Sequence, residues 1–313
     1  MKLRGVDFGN VFGASGVQGF FGEGYWFHNI PFRKPDFTGM TFVSKTATLK
    51  PREGNMSLTE DFKPRHWFPS CVRVQWNGNI LNAVGLSNPG LLALLKTRGW
   101  QKRAEPFFIS IMSLEDTPQK RFKEFRIIAE MISYFKKSFS APFGLQVNLS
   151  CPNTEHSPSE LISESAEVFE ILSVIDVPLM PKYSIASAPI KAVMELNGNP
   201  NCDSICVSNT LPFGWPGINW RKVWGSSVSP LAHLGGGGLS GPELLPHVCR
   251  WIRSLRDLGF EKPINSGGGI FCPSDVDKYH QAGADSIFVG TVATRHPRRV
   301  LSIVQHANQV KWR

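Results

Sequence analysis

The residues that could do chemistry gather in a few short segments. Asn148-Leu149-Ser150-Cys151-Pro152-Asn153 sets a thiol between Ser and Pro, with a carboxamide on either side. A lone cysteine is usually a small buried hydrophobe, which is the expectation for Cys202, Cys206, Cys249 and Cys272. Cys151 differs because Asn, Ser and Pro flank it on a loop. Asn82, in Leu81-Asn82-Ala83-Val84-Gly85-Leu86-Ser87-Asn88-Pro89-Gly90, and Asn209, beside Thr210, add further carboxamides. Each presents both donors and an acceptor, so several together suit a planar heterocycle with alternating N–H and C=O groups. Lys45 and Lys182 add positive charge, which would stabilise an anionic ring.

Glycines supply a second signal. Asn265-Ser266-Gly267-Gly268-Gly269-Ile270 and Val289-Gly290-Thr291 each follow a short apolar run. Glycine lets backbone N–H groups approach an anion closely. Two such turns late in the chain match the phosphate seat after strands seven and eight of a (β/α)₈ barrel. Gly236-Gly237-Gly238-Leu239-Ser240-Gly241 fits G-x-G-x-x-G, but residues 227–234 make a poor buried strand, so a dinucleotide-binding reading is rejected. Close backbone approach to a phosphate is the better use of these glycines.

The elements that must position these groups follow a regular rhythm. Short apolar runs ending in Gly, Asn or Ser alternate with longer amphipathic stretches, the pattern of βα units. Strands are expected near residues 10–14, 40–44, 107–112, 145–149, 179–183, 204–208, 263–265 and 286–289. Helices are expected over 118–137, 160–174 with Ser159 as N-cap, 241–255 and 274–281. Ser15, Lys45, Asn148, Cys151, Lys182, Asn209, Gly268 and Thr291 fall at or just after strand C-termini, which converge on one mouth in a barrel. The expectation is one α/β domain over 1–313, a (β/α)₈ TIM barrel with active-site loop insertions. Residues 50–80 and 210–235 are those insertions, long enough to cover an active site.

Composition narrows the partners. The 313 residues carry a net charge of +9 and are 42% hydrophobic, enough for a sizeable core. The basic residues are scattered, so anionic small molecules are a better reading than nucleic acid. No apolar run spans a membrane, and the N-terminus has no signal-peptide core, so a cytoplasmic protein is expected. The six cysteines form no C-x-x-C pair, and no metal site is expected.

The segments together resemble the class 1 dihydroorotate dehydrogenases over nearly the whole chain. Gly13-Ala14-Ser15-Gly16 with Gly22-Glu23-Gly24-Tyr25, Ser44-Lys45-Thr46-Ala47-Thr48-Leu49-Lys50-Pro51-Arg52-Glu53-Gly54-Asn55, and the asparagine and glycine segments above occur in the family's order. The resemblance implies FMN as cofactor and Cys151 as the base that takes the C5 proton of dihydroorotate. It implies that Lys45 contacts flavin and substrate. Asn82, Asn148, Asn153 and Asn209, with Thr210, would hold the pyrimidine, and the backbone of Val84, Gly85 and Leu86 its carboxylate. Ala14, Ser15, Thr46, Asn148, Lys182, Thr210, Gly237, Gly238, Gly268, Gly269, Gly290 and Thr291 would line FMN. The chain departs from the family at Pro181-Lys182-Tyr183, where Val-Lys-Leu or Ala-Lys-Leu is usual, and the proline would alter that strand.

Class 2 relatives use Ser as base and carry a membrane-associating extension. Leu81–Leu86 and Gly237–Pro242 lean toward the NAD-linked branch of class 1, which implies an iron–sulfur, FAD-containing electron-transfer subunit, and a homodimer is expected. The Trp- and Pro-rich stretch 212–224 fits neither branch. One rival is a dihydropyrimidine dehydrogenase-like reduction of uracil or thymine, which typically shows His where this chain has Asn153. The other is a non-catalytic phosphate-binding barrel.

Overall fold

The computed structural model describes residues 1–30, 33–149 and 158–313, with side-chain surroundings for all of these except 158–163. In chain order, β1 (Lys2–Leu3) and β2 (Val6–Asp7) make a hairpin before β3 (Val11–Gly13). Then come β4 (Val72–Val74), β5 (Ile80–Asn82), α1 (Leu91–Lys96), β6 (Phe107–Ile111), α2 (Pro118–Lys136), β7 (Phe143–Asn148) and α3 (Pro158–Ser173). These lead to β8 (Leu179–Tyr183), α4 (Ile190–Met194), β9 (Ile205–Val207), β10 (Leu211–Pro212), α5 (Trp220–Trp224) and β11 (Gly238–Ser240). The chain ends with α6 (Leu244–Asp257), β12 (Ile264–Gly267), α7 (Pro273–Ala282), β13 (Ser286–Val289), α8 (Thr291–Arg295) and α9 (Arg299–Gln309).

A parallel sheet runs in the order β3-β13-β12-β9-β8-β7-β6. Its two edges are joined by residues 41–47 through parallel bridges Phe12 to Thr41, Val43 to Phe108 and Ala47 to Ile111. The Thr41 N–H donates to Val11 O at 2.7 Å, and the Phe108 N–H to Phe42 O at 2.9 Å. The sheet therefore closes into the expected (β/α)₈ barrel. The second strand is a chain of single bridges rather than a continuous ladder: it meets β3 at Thr41 and β6 at Val43 and Ala47, with the register to β6 shifting by one residue between them.

Barrel strands read as apolar runs because helices cover their outer face; every residue of β6, β7 and β8 is buried. Pro181 does not interrupt β8, which pairs with both β7 and β9. Across to β9, β8 serves as acceptor through Leu179 O and Tyr183 O, so the N–H that proline lacks is not missed. Thr117 caps α2, its hydroxyl accepting from Lys120 N, with Pro118 in the first turn. Helix α3 starts at Pro158, so Ser159 lies inside it rather than capping it. The Arg121–Glu164 pair ties α2 to α3 with both side chains largely buried.

The two long stretches, together with the residues that directly follow each of them, build a second sheet that sequence periodicity does not show. It is antiparallel, in the order β10-β11-β5-β4. The stretch 212–224 folds on itself, with the Trp220 indole N–H donating to Trp215 O at 3.0 Å.

Candidate active site

The barrel interior changes character along its axis. Leu3, Phe8, Phe12, Val43, Phe108, Met180, Cys206 and Phe288 form an apolar cluster separate from the one beneath the helices. Side chains of a strand alternate between faces, so the next inward positions are Ala14, Lys45, Ser110, Lys182, Ser208 and Gly290. On β7 a Cβ at Gly144 would meet the Phe108 ring at 2.4 Å, so Gln146 and Asn148 point inward as well. An apolar floor thus gives way to polar and small residues at the C-terminal ends of the strands, as the barrel reading requires.

One wall carries hydroxyls. Ser15 Oγ donates to Ser44 O at 2.9 Å and lies 3.0 Å from Thr46 Oγ1, which is 2.9 Å from Ser110 Oγ. Lys45 rises beside them, 9% exposed. Its ammonium donates to Ser87 O and lies 4.9 Å from the centroid of Phe20. Burial pulls the Lys45 pKa down to about 8, against smaller upward pulls from Cys71 and Glu23. Glu23 holds this loop by accepting from the N–H groups of Phe20 and Phe21.

The opposite wall carries carboxamides. Asn148 is buried and stands opposite Lys182 in the ladder. The Asn209 side chain donates to Asn148 Oδ1 at 3.4 Å and accepts from Thr210 N at 3.0 Å. Lys182 is 7% exposed, and burial pushes its pKa below the ordinary lysine value. Its ammonium meets no acceptor among the described residues. An unpaired buried cation is costly, so an anionic or carbonyl-rich ligand fits here. Cys151 and Asn153 lie outside the described residues.

The second sheet brings the remaining groups in. Asn82 pairs with Gly238 in register, and its side chain donates to Gly238 O at 3.4 Å. A Cβ at Gly238 would meet Thr210 Oγ1 at 2.2 Å. Close strand packing therefore demands the glycine there, a use that the phosphate reading of this motif did not include. Asn82 and Asn209 are half-buried rather than buried. Val84, Gly85 and Leu86 form a tight turn with positive φ at Gly85 and Leu86. Its carbonyls are spent internally: Val84 O accepts from Asn55 N, Gly85 O from Arg52 Nε and Leu86 O from Asn88 Nδ2. Among the described residues the N–H groups of Val84, Gly85 and Leu86 donate to no acceptor.

The glycine turns close the circle. Gly268 and Gly269 have φ of +122° and +79°, and a Cβ at Gly290 would press on Ala14 Cβ at 2.9 Å. Tyr279 Oη donates to Gly268 O at 2.7 Å. Tyr279→Phe should leave that carbonyl unmet and cost about 1–3 kcal/mol. Thermal melting of the two proteins measures the loss, and an unchanged melting temperature would rule out the tether.

Sequence reasoning missed Arg52, Asn55, Ser87, Ser110, Gln146 and Tyr279. The first two stand inside the quoted lysine motif and Ser87 inside the asparagine segment, but the other three carry no local signal. Cys272, expected to be buried, is half-buried, with its thiol donating to Asp275 Oδ2 at 3.3 Å.

Comparison with known proteins agrees with this geometry. The profile of the family described as dihydroorotate dehydrogenase matches residues 1–309. The chain belongs to the dihydroorotate dehydrogenase family. Among its relatives, dihydroorotate dehydrogenase A (fumarate) of Lactiplantibacillus plantarum is 29% identical over 84% of this chain and 78% of its own length. The catalytic subunit of dihydroorotate dehydrogenase B (NAD(+)) of Streptococcus pneumoniae is 25% identical over 99% of this chain and 91% of its own. That of Caldicellulosiruptor saccharolyticus is 28% identical over 97% and 90%. Both class 1 branches are therefore represented among the family members similar to this chain. Among the described residues, no helix is long and apolar enough to cross a membrane.

Proposed function

We propose that this chain oxidises dihydroorotate to orotate, with FMN as its cofactor and Cys151 as its base. The observation that carries the reading is Lys182, buried on β8 with no acceptor for its ammonium among the described residues, beside the Asn148–Asn209 pair at the barrel mouth. Lys182, Lys45, Ser15, Thr46 and the turns at Gly268, Gly269 and Gly290 would hold the flavin, which accepts the hydride leaving C6 when bound. Asn82, Asn148, Asn153 and Asn209 would fix the pyrimidine in plane, and the turn over Val84, Gly85 and Leu86 would take its carboxylate. Cys151 would remove the C5 proton as the hydride departs.

Electrons would then pass to an iron–sulfur, FAD-containing partner subunit, in the cytoplasm and from a homodimer of this chain. The NAD-linked names among the relatives and the Leu81–Leu86 motif support that branch. The test is dihydroorotate oxidation with fumarate, NAD⁺ and an artificial acceptor, measured side by side on purified protein. Turnover with the artificial acceptor alone is the expected result for the isolated chain, and fumarate turnover would reassign the branch. A colourless protein that takes up no FMN would sink the proposal.

Asn153 should make the site discriminate against dihydrouracil, because a buried polar group left unpaired penalises the wrong ligand. Equal turnover of dihydroorotate and dihydrouracil would contradict that role.

A further inference from the structure

Gln146 is the least explained polar side chain in the barrel. It lies in the middle of β7, 2% exposed. Its neighbours Leu145 and Val147 belong to the apolar core beneath the helices, so Gln146 faces the interior. Around it are Ser110 on β6 and Met180 on β8, each opposite in register, with Asn148 one inward step above. Ser110 is engaged with Thr46, and Asn148 with Asn209. Among the described residues, Gln146 Oε1 has no hydrogen-bond partner. A buried acceptor left unmet is expensive, and each one in a folded protein calls for a reason.

A second unmet group stands on the next strand. Lys182 follows Met180 by one inward step, and its ammonium also lacks a partner among the described residues. An unmet acceptor and an unmet cationic donor therefore sit on adjacent strands under one mouth, and they do not satisfy each other.

We propose that Gln146 Oε1 recognises the flavin ring, accepting from its N3–H beside a carbonyl served by Lys182. The inference rests on the FMN reading above. Oxidised isoalloxazine has one ring N–H, at N3, and carbonyls flank it on both sides. An acceptor next to a cationic donor is the complement of that edge. A side chain that only filled the barrel would be apolar here, as at Met180 and Phe108.

The test compares FMN with 3-methyl-FMN, which cannot donate at N3. Apo-protein is titrated with each, and quenching of flavin fluorescence gives the affinity. Wild type should prefer FMN by about tenfold, the size of one hydrogen bond to an otherwise unmet buried group. In Gln146→Met, of similar length but with no acceptor, the preference should shrink to about twofold or less. The apo variant should melt no lower than wild type, because it no longer buries an unmet oxygen. Equal binding of both flavins by wild type overturns the proposal, as does a full preference retained in Gln146→Met. If the variant fails to fold, the wild-type comparison still decides. A wild-type protein that binds neither flavin overturns the FMN reading as well, so the two failures are told apart.

Discussion

Cys151→Ala is expected to slow anaerobic flavin reduction by dihydroorotate by about 10²–10⁴-fold, the usual worth of a positioned general base. The C5 proton is weakly acidic and must leave as hydride departs from C6. A thiol with a pKa of about 8.5 is only a few per cent ionised at neutral pH. The wild-type rate should therefore rise with pH through the thiol's pKa, and that rise should vanish in the variant. Cys151→Ser should keep a trace of activity, since a hydroxyl can occupy the position but ionises far less readily. Flavin should stay bound in both variants, because neither substitution touches the proposed contacts at Lys45, Lys182, Gly268 and Gly290 on other strands or Gln146 and Asn148 earlier on β7. Flavin absorbance followed in all three proteins measures the effect. A Cys151→Ala rate within about threefold of wild type, far short of a general-base effect, would remove the thiol from the mechanism.

The mouth of the barrel was legible because each chemical group ends an apolar run. Asn148 closes β7, Lys182 nearly closes β8, and Asn209 follows β9. Parallel strands keep their C-terminal ends together, so position in the chain became position in space. The second barrel strand was legible only in part. Residues 41–47 pass from β3 at Thr41 to β6 at Val43 and Ala47, and the polar Lys45 and Thr46 stand where an apolar run would have continued. The covering sheet was illegible for a different reason. Its strands are two or three residues long, too short to show a period of two, and their pairing joins residues far apart, such as Asn82 and Gly238. Gln146 was invisible because one polar residue between Leu145 and Val147 reads as a lapse in a strand. Its meaning comes from its missing partner, which only the folded chain shows.

Lys45→Met should act in opposite directions on activity and on stability. Lys45 is buried beside the hydroxyl wall and the turn after Asn82, with its ammonium on Ser87 O. Removing a preorganised cation from the place where negative charge develops should cost about 10²–10³ in the rate of flavin reduction. The same cation burdens the apo fold. Burial lowers the Lys45 pKa from 10.5 to about 8, so the charged form is less stable in the folded protein than in the unfolded chain. Below pH 8 both states hold the proton, and the whole penalty, about 3 kcal/mol, is present. Between about pH 8 and 10.5 the unfolded chain keeps a proton that the folded protein has released, so wild-type stability should rise with pH across that window. Lys45→Met has no such proton to release. At pH 7 its apo form should be the more stable of the two, and the gap should close as pH climbs toward 10. Denaturant unfolding of both apo-proteins at several pH values reads the gap, and stopped-flow flavin reduction reads the rate. A constant gap would show that Lys45 is solvated rather than buried. A rate unchanged by the substitution would show that its charge does not act on the reaction.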